Sequence, residues 1–173
     1  MVILGIDPGY AIIGYGAVSH YAGKYKTLGY GAVLTDADME FPDRLEVIYD
    51  NMIRMISKCK PDVLSIEKLY FQNNQKTAIK VAEARGVILL AAKKSGLPIY
   101  EYTPLQVKTA VTGYGQAPKK QVMEMTKRLL GLNEVPKPDD TADALAIAIC
   151  HANSSGALAR MNLIQRGKVT NVL

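Results

Sequence analysis

Apolar and polar positions alternate between two periods along this chain, and the switches between them outline its elements. VILGID at positions 2–7 is a short apolar run stopped by Asp-Pro-Gly, the pattern of a buried strand ending in a turn. AIIGYGAVSH and YKTLGYGAVLT are strand-like and flank the hairpin signal YAG, which predicts an antiparallel meander of three strands. The period then changes. Leu45, Ile48, Tyr49, Met52, Ile53 and Ile56 form one helical stripe over about 42–59, with Pro42 suited to a first turn and Asp43 and Glu46 near its positive end. DVLSIE predicts a fourth strand, and LPIYEYT a fifth. Between them, residues 76–95 read as a helix that is apolar on nearly every face from Ala78 to Ala92. Such a helix needs cover on more than one side, either as a central core helix or at an interface between two copies.

Beyond the fifth strand the pattern is helical. A short helix is expected over Pro104–Val111, then the glycine-rich loop TGYGQAP. A further helix opens at Pro118 and stops at Gly131, and a strongly apolar one runs from Asp139 to Asn153. The order is βββ-α-β-α-β-α-α-α. Strands one, four and five can lie parallel through right-handed helical crossovers, with the hairpin strands antiparallel beside them. The expected fold class is α/β: a five-stranded mixed sheet flanked by helices, in one domain over residues 1–155. A basic tail carrying Arg160, Arg166 and Lys168 occupies 156–173.

Bulk properties narrow this only a little. At 173 residues the chain suits one domain with a sizeable core. Its longest apolar stretch is too short to span a bilayer, and MVILGIDPG has neither a basic n-region nor a small-residue cleavage site, so no membrane role or secretory signal is expected. Cys59 and Cys150 lie within helical patterns without metal spacing, as reduced thiols of a cytoplasmic protein would. The formal net charge of +5 suggests an anionic partner. From Pro104 to Asn133 the bases Lys108, Lys119, Lys120, Lys127 and Arg128 face a single acid, Glu124. A solvated helix face would look the same, so charge alone decides nothing.

The acids are more informative. Asp7 ends strand one and Glu67 ends strand four. Parallel neighbouring strands would present both at the carboxyl edge of the sheet, where α/β folds bind ligands. Asp140 and Asp143 share one face at the start of the last helix, and Asp139 with Asp143 is an equally good same-face pair. Turn formation and helix capping explain each acid singly. Asp143 resists that explanation, since the helix around it is otherwise Ala, Leu and Ile. Several carboxylates at one place repel unless a cation joins them. Mg²⁺ prefers such oxygens and leaves sites free for phosphate, and a pair of ions can activate water and stabilise a leaving alkoxide. No His or Cys stands near these acids at zinc spacing. A magnesium carboxylate cluster beside basic loops predicts phosphodiester hydrolysis of nucleic acid.

Five stretches together resemble the RuvC family of bacterial Holliday junction resolvases, which have a ribonuclease H-like fold: GIDPGYAIIGYGAV, IEKLYFQNN, EARGVILLAA, YTPLQVKTAVTGYGQAPKKQV and DDTADALAIAICH. The resemblance implies that Asp7, Glu67, Asp140 and Asp143 are the metal-binding catalytic acids, the pattern D-x-x-D-A-L selecting Asp140 over Asp139. It implies that Tyr70 stacks at the opened junction centre, and that Lys108 and Lys119 contact phosphate, with Lys120 an additional base. It implies two Mg²⁺ ions per site, with Mn²⁺ as a substitute. It further implies a homodimer paired through the second helix, symmetric nicking of a four-way DNA junction in recombination and repair, and the branch-migration proteins RuvA and RuvB as partners. Three other readings differ in what they require. An RNA-processing ribonuclease H relative would cut simple RNA or RNA–DNA hybrid. A fragment of the actin and sugar-kinase superfamily, which also begins strand–Asp-x-Gly, would bind ATP. A non-catalytic junction-binding module would be indifferent to loss of Asp7.

Overall fold

The computed structural model describes the backbone of residues 1–69 and 75–169, and the side chains of 1–69 and 77–155. Its elements are β1 (Val2–Asp7), β2 (Ile12–Tyr21), β3 (Lys24–Leu34), α1 (Phe41–Cys59), β4 (Val63–Glu67), α2 (Gln75–Lys94), β5 (Ile99–Tyr102), α3 (Pro104–Thr112), α4 (Lys119–Leu130) and α5 (Asp139–Val169). The sheet order is β3-β2-β1-β4-β5. β1 pairs antiparallel with β2 and parallel with β4, and β4 pairs parallel with β5. The expected mixed sheet is therefore present, with the parallel strands at its centre and one edge.

Alternation along the strands divides the core between two faces. Leu4, Ile6, Leu64 and Ile66 pack against Ile48 and Met52 of α1 and Ala84, Ile88, Ala91 and Ala92 of α2. Ile3, Val18 and Val63 face the other way, against Val107 and Val111 of α3, Val122 of α4, and Leu145, Ile147 and Ile149 of α5. The result is three layers, helices on both sides of the sheet.

How α5 sits on the sheet decides where its acids go. Gly5 faces the backbone of Ala144 and Ala148, and Gly14 faces the carbonyl of Asp140. A Cβ at either glycine would overlap those atoms, so only glycine lets the helix lie this close. Gly14 is paired with Asp7 across the β1–β2 ladder. The strand that carries Asp7 and the helix that carries Asp140 are thus brought together by the residue opposite Asp7. Ser65 ties the same helix to β4, donating from Oγ to the Ile147 carbonyl at 3.0 Å.

One boundary differs from expectation. α5 runs on to Val169, well past the end predicted at Asn153. Ser154, Ser155 and Gly156 follow the expected end, but beyond them Ala157, Leu158, Ala159, Arg160 and Met161 are strong helix formers. Among the described residues, no helix is long and apolar enough to cross a membrane.

Candidate active site

Asp7 and Glu67 end adjacent parallel strands, and Asp140 and Asp143 lie in the first turns of α5. The fields of all four meet at Asp7. Its carboxyl is pushed from 3.8 up to about 8, first by burial, then by the charges of Glu67, Asp143 and Asp140, with Lys119 opposing. Glu67 is also raised, by burial and then Asp143, against the pull of Lys119 and Lys108. Two of the anticipated lysines therefore act on the anticipated acids.

Lys119 opens α4, whose N-cap Pro118 offers no side-chain acceptor. Its Nζ is 2.9 Å from Oδ2 of Asp143 and 3.7 Å from Oδ2 of Asp139. Lys137 holds the other oxygen of Asp139 at 2.8 Å. Asp139 is thereby paired with two lysines, and the hydrogen bond from Lys137 draws its carboxyl below the usual range. Asp140, by contrast, acts on Asp7. The two acids left open by spacing alone thus have different surroundings. Lys120 lines a cleft of about 420 Å³ beside the acids, together with Lys119, Met123, Glu124, Val135, Lys137 and Asp139. Tyr70, Phe71 and the amides of 72–74 lie outside the described residues.

Among the described residues, no group of three or more His, Cys, Asp or Glu side chains is drawn tightly enough to hold an ion as it stands. The chemistry of the donors nevertheless suits a hard divalent cation. All four are carboxylates, and at neutral pH without a counter-ion Asp7 keeps its proton. A divalent cation would favour the ionised form and relieve the repulsion. The Lys119 ammonium, resting on Asp143, supplies part of that positive charge.

Two residues had no place in the sequence reading. Lys137 sits on Asp139, and Arg85 of α2 donates from Nε to the Glu67 carbonyl at 3.4 Å. An arginine within the apolar run EARGVILLAA was the available signal for the second.

The family model described as crossover junction endodeoxyribonuclease RuvC matches residues 3–151. A relative of that description from Halothermothrix orenii is 57% identical over 154 residues, 89% of this chain and 93% of its own. One from Ruminiclostridium cellulolyticum is 56% identical over the same shares. Among solved structures, the chain is similar to that of T. thermophilus RuvC in complex with a Holliday junction substrate. The two are 34% identical with a TM-score of 0.83, covering 91% of this chain and 96% of that one.

Proposed function

The chain belongs to the RuvC family of crossover junction endodeoxyribonucleases, and we propose that it resolves Holliday junctions by hydrolysis at a site built from Asp7, Glu67, Asp140 and Asp143. The observation that carries this site is Asp7, a buried carboxyl pushed up to about 8 with three other acids acting on it. Perturbation by burial and like charges in a cluster is the pattern of a functional centre. The four acids would hold divalent ions, two Mg²⁺ by the family resemblance, with Mn²⁺ able to substitute. When bound, these supply Lewis-acid activation of the attacking water and of the leaving oxygen.

The chain's own residues supply the rest. Asp7 gives up its proton so that its carboxylate can serve as a ligand. Lys119 exchanges its contact with Asp143 for a phosphate oxygen, and Lys108 adds a second positive charge near Glu67. In-line attack leaves a 5′-phosphate and a 3′-hydroxyl. Lys120 and Tyr70 contribute to the DNA surface, Tyr70 by stacking at the junction centre.

Two like-oriented cuts need two sites at a set spacing, hence a homodimer. The outer face of α2 supports this. Ile79 and Leu90 are exposed there, 68% and 54%, with Ala82 and Gly86 between them on the same face. A Cβ at Gly86 would meet no atom within 4 Å. Glycine in an exposed helix interior costs about 1 kcal/mol relative to alanine, and close approach of a second helix would offset that. RuvA and RuvB are the expected partners in the cytoplasm.

The test is to incubate the protein with a synthetic four-way junction, with and without Mg²⁺, and map the nicks. Paired, metal-dependent nicks in strands of like polarity support the proposal. Cleavage confined to simple RNA or RNA–DNA hybrid would refute it.

A further inference from the structure

Glu67 stands where its strand runs out of neighbours. The β1–β4 ladder ends at Ile6 and Ile66. On the β1 side Asp7 is followed by Pro8, which has no N–H to donate. The ladder to β5 continues one step further, through Glu67 opposite Tyr102 and the Lys68 amide donating to the Tyr102 carbonyl at 2.8 Å. The Glu67 carbonyl is met instead from the helix layer, by Nε of Arg85. The same guanidinium donates from Nη2 to Oε1 of Glu101 on β5 at 2.8 Å.

This arginine is not a surface residue. Its side chain is 15% exposed, against 39% for Glu101. A guanidinium keeps its charge when withdrawn from water, so its fork must be satisfied by fixed partners, and here the partners are the Glu67 carbonyl at the end of β4 and Glu101 on the neighbouring β5. Arg85 also adjoins Gly86, on the helix whose outer face is proposed to meet the second copy. The cations that act on the Glu67 carboxyl itself are Lys119 and Lys108. Arg85 reaches Glu67 through the main chain.

We infer that Arg85 is a positioning residue, which with Glu101 fixes the end of β4 and so the direction in which Glu67 leaves the sheet. The inference rests on the proposed catalytic role of Glu67. It also links the pairing face of α2 to the reacting centre, because one side chain spans the helix layer and the catalytic strand. Outer partners that orient a metal ligand are worth about 10- to 100-fold in activity or metal affinity.

The test uses the full-length protein as wild type, Arg85→Met, Arg85→Lys and Glu101→Gln. Three quantities are measured: junction affinity in EDTA, single-turnover cleavage against Mg²⁺ concentration, and amide exchange at Lys68. Arg85→Met is expected to lower the maximum rate about 10- to 100-fold and raise the Mg²⁺ needed for half-maximal rate, with junction affinity unchanged. Exchange at Lys68 should quicken, because the strand end has lost its brace. Arg85→Lys should fall between, and Glu101→Gln should shift all readouts the same way by less. If Arg85→Met does not fold, Glu101→Gln alone decides. Wild-type rate, Mg²⁺ dependence and Lys68 exchange in Glu101→Gln would overturn the inference. So would a loss of junction affinity in Arg85→Met that accounts for the whole rate loss. Should the wild type itself fail to cut junctions in Mg²⁺, the proposed function falls, while the Lys68 exchange still reports whether Arg85 holds the strand end.

Discussion

Replacing Asp7 by Asn is expected to stabilise the metal-free protein while abolishing its nuclease activity. In the unfolded chain this carboxyl ionises near 3.8, whereas in the folded protein it keeps its proton up to about pH 8. Between those values the unfolded state gains about 1.4 kcal/mol for each pH unit. The sign is therefore fixed: stability is lost as pH rises from 3.8 to about 8, and the loss is then constant. At pH 7 the handicap reaches about 4 kcal/mol. Asn has the same shape and no charge, so it removes the handicap. Asp7 is already uncharged at neutral pH without metal, and the substitution therefore leaves the field at Glu67, Asp140 and Asp143 nearly as it was.

Urea unfolding of both proteins in EDTA, at a series of pH values from about 4 to 8, reads the effect directly. The variant should be more stable by up to about 4 kcal/mol at pH 7, with the difference shrinking toward zero near pH 4. Mg²⁺ should narrow the difference. A ligand at 100 times its dissociation constant stabilises the state that binds it by about 2.7 kcal/mol, and the variant lacks one of the four carboxylates, so the gap at pH 7 should shrink to about 1 kcal/mol. Junction binding in EDTA should survive in the variant, and cleavage should not. A stability difference independent of pH, or a variant less stable than wild type at neutral pH in EDTA, would refute the reasoning.

Gly14→Ala would set a methyl group against the Asp140 carbonyl, so α5 must move. Calorimetry should show a loss of about 1–3 kcal/mol, and cleavage should fall with it because Asp140 and Asp143 move away from Asp7. Lys108→Met and Lys119→Met should each reduce the slope of log affinity for a junction against log salt by about 1, measured by fluorescence anisotropy. His151 is buried with Nδ1 2.8 Å from the Tyr102 hydroxyl, and burial holds its pKa below 6.5. The unfolded state therefore binds the extra proton first, and His151 lowers stability progressively as pH falls below 6.5; comparison with His151→Phe in urea should isolate that slope. Gly86→Arg should convert a dimer to a monomer in sedimentation, since the side chain would project from the face that otherwise admits a second helix.

What the sequence shows of this molecule depends on how far apart the interacting residues lie in the chain. The strands and helices were legible because their periodicity is local. Asp7 and Glu67 were legible as a pair because two parallel strands ending in acids need only a topology to bring them together. The placement of α5 was not. Gly5 and Gly14 look like ordinary glycines in a strand, and their reason is a helix more than 120 residues later whose backbone lies where their side chains would be. Asp139 and Asp140 were indistinguishable by spacing for the same reason. What separates them is that Lys137 and Lys119 claim Asp139, while Asp140 acts on Asp7. Arg85 is the clearest case. No pattern in EARGVILLAA shows that a carbonyl 18 residues earlier has reached the end of its ladder, beside a proline that cannot donate to it. Residues of the candidate site can be found by their type, but a residue proposed to aim one of them acts through bonds that exist only once α2 has packed against the end of β4. Substitutions at Arg85 should therefore change rate and metal dependence without changing what the protein binds.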